Sequence, residues 1–145
     1  MLKKWLGTKR CQAQRPDALG RFRASEYDDA FPGNHMEAVI RRNVVEMGID
    51  PTAKGRIIFD VGDREGKRSR AFCSPVRVPE EVYLVLRPHG GQSDYNTFLH
   101  KLVHALNFAY ASADLPSEFR RLAENSVTET SASLFDHRSV HTGWL

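Results

Sequence analysis

A chain of 145 residues, 41% hydrophobic and 27% charged, has the size and composition of one soluble globular domain with a single core. No apolar run approaches the ~20 residues needed to cross a bilayer, and no signal-type stretch follows the first lysines; a membrane partner is not expected and a cytoplasmic location is. Cys11 and Cys73 are too few and too far apart for a disulfide framework or a cysteine-rich metal knuckle, and basic residues are concentrated between Lys3 and Arg23, where a solvated leader is expected in preference to nucleic-acid binding.

Residues 1–30 are basic, interrupted by Pro16 and Gly20 and without sustained period, and are predicted to be a leader; residues 31–145 are predicted to form the core. From His35 to Met47 the apolar positions Met36, Val39, Ile40, Val44, Val45 and Met47 recur at helical spacing, and Gly48 supplies a stop. Short β-branched runs follow over Arg56–Val61, Arg70–Val78 and Glu81–Arg87, separated by turn-like stretches, and predict an antiparallel meander. Pro88, Gly90 and Gly91 end it. A second helix, with Ser93 or Asp94 as N-cap, carries the stripe Tyr95, Phe98, Leu99, Leu102, Val103 and Leu106. Beyond Asp114 and Pro116 come two more helical stretches, one holding Phe119, Leu122 and Ala123, the next holding Val127, Leu134 and Phe135.

His100 and His104 stand four apart on the predicted helix, so their side chains diverge by only about 40° and both imidazoles reach one metal ion. The spacing alone is unspecific, since His137 and His141 repeat it without an acidic partner downstream. The first pair flanks an apolar stripe, and Glu124 and Glu129 offer a carboxylate as third ligand, leaving a fourth position open. Glu129 also closes the capping-box pattern Ser126-Val127-Thr128-Glu129, a purely structural role.

Arg70 to Cys73, Pro79 to Arg87, Asp94 to His104, Leu115-Pro116, Glu118 to Arg120, Asn125 to Glu129 and Leu134 to Asp136 together resemble the thimet oligopeptidase and oligoendopeptidase F family of zinc peptidases. The resemblance runs from about Glu26 to Leu145. It implies zinc held by His100, His104 and, by the family's spacing, Glu129 rather than Glu124. It further implies that Asp136 orients a ligand histidine, that Gly90 and Gly91 let a substrate backbone approach the edge strand, and that the substrate is an oligopeptide.

The family's His-Glu-x-x-His reads His100-Lys101-Leu102-Val103-His104 in this chain. The glutamate is the general base that takes a proton from the attacking water, and a protonated lysine offers no base. Its loss removes about 10²- to 10⁴-fold of rate. Relatives extend on both sides of the matched region, so the chain resembles a truncated catalytic core whose open helix faces favour a homo-oligomer. The expectation is therefore an α+β fold, a small antiparallel sheet packed with zincin-type helices that carry His-x-x-x-His and a downstream glutamate. The expected function is that of an impaired zinc oligopeptidase; the alternative is a non-catalytic metal-binding or interaction protein.

Overall fold

A computed structural model describes residues 25–68, 70–121 and 125–140. Of the expected leader, residues 1–24 lie outside the described part. Its last segment, Ser25–Ala30, is a 3-10 helix, so folded structure begins before Phe31, where it was expected. The reason is packing: Phe31 is 4% exposed with its ring edge-on to Tyr95 at 5.1 Å, and the Tyr95 hydroxyl donates to the Pro32 carbonyl at 2.9 Å.

Helix α1, Met36–Glu46, forms where predicted, but of its expected apolar positions Val39 and Val45 face solvent. Met36, Ile40 and Val44, spaced by four, form one fully buried stripe, while Arg41 pairs with Glu37 and Arg42 with Glu46 on the outer side. It ends where Gly48 takes φ 79°, and the Gly48 amide donates to the Val45 carbonyl.

The three strands are β1, Ile57–Val61; β2, Phe72–Arg77; and β3, Glu81–Leu86. Their order is β1-β3-β2, with β3 antiparallel to β2 and parallel to β1. The sheet is mixed, which corrects the expected antiparallel meander. The tight turn over residues 78–80 forces β2 and β3 to be antiparallel, but residues 62–71 are long enough to carry the chain across the end of β3. β3 holds the centre because Val82, Leu84, Val85 and Leu86 are all buried, and a strand paired on both edges is where such a run is best covered.

Helix α2, Gln92–Ala109, lies across all three strands and also meets α1. Its Phe98, Leu99, Leu102, Ala105 and Leu106 pack with Val82, Leu84 and Ile57 in one cluster. Burial of such side chains contributes about 1.5–3 kcal/mol each. The N-cap is Gly91, not Ser93 or Asp94. Asp94 instead turns its carboxylate back to the preceding loop, accepting from the His89 amide at 2.7 Å and the Gly90 amide at 3.0 Å, at the positive end of the helix.

A short α3, Ser117–Arg121, covers the outer edge of β2: Arg121 donates to the Pro75 and Val76 carbonyls and Arg120 to the Val78 carbonyl. Helix α4, Asn125–Asp136, packs on α2, and the 3-10 helix His137–Val140 follows it. Among the described residues no helix is long and apolar enough to cross a membrane.

Candidate metal centre

The centre lies between α2 and α4. On α2 the buried stripe is turned to the sheet, which leaves His100 and His104, one turn apart, half-buried along its flank towards α4. On α4 the fully buried Ala132 lets the two helices approach, and the residues one turn to either side of it, Glu129 and Asp136, point their carboxylates at the histidines.

The His100 and His104 Nε2 atoms stand 3.1 Å apart. The Glu129 carboxylate straddles both, with Oε2 3.3 Å from His100 Nε2 and Oε1 3.4 Å from His104 Nε2. Asp136 Oδ2 lies 3.0 Å from His100 Nδ1. A proton on Nδ1 satisfies that carboxylate and leaves the His100 Nε2 lone pair directed at His104 and Glu129.

The two Nε2 atoms and the two Glu129 oxygens are four electron-rich atoms, and at such distances they repel one another unless a proton or a metal ion lies among them. A tetrahedron with donor distances of about 2.0–2.1 Å has edges of about 3.3–3.4 Å. The separations run to two different oxygens of Glu129 and close no single triangle, but with one ligand atom from each residue the three donors lie within 4.8 Å of one another, so the group could hold a metal ion. The Glu129 side chain is 57% exposed, against 22% for His100 and 14% for His104, so the centre is open to solvent on the α4 side.

Burial pushes the His104 imidazole below its ordinary pKa, as do the neighbouring His100 and Lys101; Glu129 first, then Asp136, pull the other way. The outcome is a neutral ring, the form that ligates. Lys101, one position on from His100, is half-buried, and its charge reaches both His104 and the Cys73 thiol of β2. Burial pushes that thiol up to about 12 despite the ammonium. Cys73 had no local signal in the sequence: only the register of β2 against β3, under α2, brings it to Lys101.

Glu129 uses its carboxylate towards the histidines, and the described contacts of α4 include no Ser126–Glu129 capping box. Glu124 and His141 lie outside the described residues. Gly90 and Gly91 are buried in the turn after the central strand, not beside an edge. Both have positive φ, and the Gly91 amide donates to the Phe31 carbonyl at 2.8 Å. A Cβ on Gly90 would press on Gly33, and one on Gly91 would collide with the Asp28 carboxylate, so the pair serves a close approach of the chain to itself.

Comparison with protein-family models, curated proteins and solved structures finds no match to this chain.

Proposed function

We propose that this chain is a zinc-binding core of the oligopeptidase kind, with His100, His104 and Glu129 as ligands and peptide hydrolysis impaired by Lys101. The observation that carries the proposal is the convergence of the His100 and His104 imidazoles with the Glu129 carboxylate, which brings one ligand atom from each within 4.8 Å of the others. Two imidazoles and one carboxylate are a donor set that suits zinc and leaves room for a fourth donor. Zinc in such a site polarises a peptide carbonyl and activates water. Asp136 holds the His100 ring in its ligating tautomer. Lys101 occupies the base position with a group that cannot accept a proton while charged.

A second reading has one observation in its favour. Both described carboxylates at the centre, Glu129 and Asp136, are engaged by the histidines, so neither is free to replace the missing base, and a non-catalytic metal-binding or interaction protein results. The oligopeptide is then a ligand and not a substrate. A homo-oligomer belongs to either reading, supported by the outward Phe119, Val127 and Leu134, each more than 60% exposed. A monodisperse monomer in light scattering would count against it.

Elemental mass spectrometry of the purified protein tests the metal: about one zinc per chain, lost in His100→Ala, is expected, and no uptake after dialysis against zinc refutes the centre. Lys101→Glu then separates the readings. Appearance of zinc-dependent cleavage of an oligopeptide, a gain of about 10²- to 10⁴-fold, supports the impaired peptidase. A zinc-loaded Lys101→Glu protein without activity supports the non-catalytic one.

A further inference from the structure

The sheet has two outer edges, and only one of them is closed. On β2 the closure comes from Pro75, from a register shift between Pro75 and Arg77, and from Arg121 of α3, which donates to the Pro75 and Val76 carbonyls. On β1 there is no proline, no lysine and no shift in register.

The parallel register on β3 fixes where the backbone of β1 points. The Val82 amide donates to the Arg56 carbonyl and the Gly62 amide to the Leu86 carbonyl, so Ile58 and Asp60 turn their amides and carbonyls to β3. Ile57, Phe59 and Val61 therefore turn theirs outward. The Ile57 amide donates to the Thr52 carbonyl at 2.9 Å. Among the described residues nothing accepts from the Phe59 and Val61 amides, and nothing donates to the Ile57 and Phe59 carbonyls. Arg41 of α1 lays its guanidinium 3.7 Å from the centroid of the Phe59 ring, but its Nε donates to Glu37 and it makes no hydrogen bond to the strand.

This edge is complementary to itself. When two copies of β1 lie antiparallel across a two-fold axis at Phe59, the two Phe59 residues exchange amide-to-carbonyl hydrogen bonds, and each Val61 amide meets the Ile57 carbonyl of the second copy. A register centred on a neighbouring residue leaves one of these groups unpaired. On the other face of the strand Ile58, 39% exposed, comes opposite Asp60 of the second copy, so no like charges face each other across the axis.

We infer that β1 is the interface of a two-fold homodimer in which the two sheets join edge to edge through this strand. The inference takes its partner from the homo-oligomeric reading above, assigns it to a surface other than Phe119, Val127 and Leu134, and is independent of the metal. A second copy fits better than an unrelated extended peptide because the outward groups of the strand satisfy one another. Joining the β1 edges leaves only β2 edges outermost, and those are closed, so assembly stops at the dimer.

The full chain is measured by sedimentation over a series of concentrations, and hydrogen exchange of its backbone amides is followed by NMR at the same concentrations. A dimer is expected, with the Phe59 and Val61 amides about tenfold better protected than in the monomer and the Ile58 and Asp60 amides, already held by β3, changed far less. Ile58→Asp sets a carboxylate opposite Asp60 of the second copy and should weaken the dimer about tenfold, whereas Ile58→Lys faces the same carboxylate with opposite charge and should retain it. Urea unfolding checks that each variant folds, and the exchange measurement needs no variant. A dimer whose Phe59 and Val61 amides exchange as in the monomer, or one that folded Ile58→Asp and Ile58→Lys weaken equally, overturns the inference and leaves a homo-oligomer on another surface. A monomer at every concentration overturns both, and neither result bears on zinc binding.

Discussion

Asp136 touches the His100 ring, and its removal tests what that contact contributes to metal binding. Its Oδ2 lies 3.0 Å from His100 Nδ1, and its side chain is 34% exposed, so part of the charge is screened by water. Asp136→Ala frees the ring to rotate and to take the other tautomer, which puts a proton on the ligating nitrogen. Loss of such an outer partner weakens metal affinity about 10- to 100-fold, or about 1.4–2.8 kcal/mol. Asp136→Asn keeps an acceptor for the Nδ1 proton without the charge and should fall between wild type and alanine. Zinc affinity is measured by competition with a chromogenic chelator, and the metal-free stability of each variant by urea unfolding. Affinity within twofold of wild type in Asp136→Ala would refute the orienting role. A loss in affinity matched by an equal loss of metal-free stability would show that Asp136 holds α4 in place rather than orienting a ligand.

Three further outcomes are expected. Because burial holds the folded His104 below its ordinary value of 6.5, the unfolded chain binds the extra proton more readily; the contribution of His104 is present above pH 6.5 and lost as pH falls below it. The metal-free Tm should therefore drop between pH 7 and 5, with a shallower slope in His104→Gln; an unchanged slope in that variant would contradict it. In a Cys11→Ser background, Cys73, with its pKa pushed up to about 12, should react with iodoacetamide at pH 8 far more slowly than in urea, and equal rates would show that the thiol is not covered. Gly91→Ala, at φ 89° and against the Asp28 carboxylate, should cost about 1–3 kcal/mol in urea unfolding, whereas a neutral effect would deny the close approach of the two segments.

What was legible in the sequence was what one element settles by itself. Met36, Ile40 and Val44 announce a buried helix face because 3.6 residues make a turn, and His100 and His104 share a flank for the same reason. That position 101 holds a lysine is read directly, whereas its standing at a base position was an expectation from family resemblance alone. Glu129 and Asp136 were distinguished only through family resemblance, since nothing local says which face of a downstream helix meets α2.

The rest depended on contacts between distant parts of the chain. β1 and β2 are separated in space by β3, so the mixed sheet follows from which strand has the apolar run that needs covering on both edges, and no pattern within a single strand encodes its neighbour. Asp94 faces the loop amides instead of capping α2 because the turn over residues 87–91 is pinned to Phe31 and Gly33, more than fifty residues earlier. The metal centre is divided in the same way. The histidine pair is a property of one helix and is written in its spacing, while the Glu129 carboxylate joins it only because Ala132 lets α4 come close to α2.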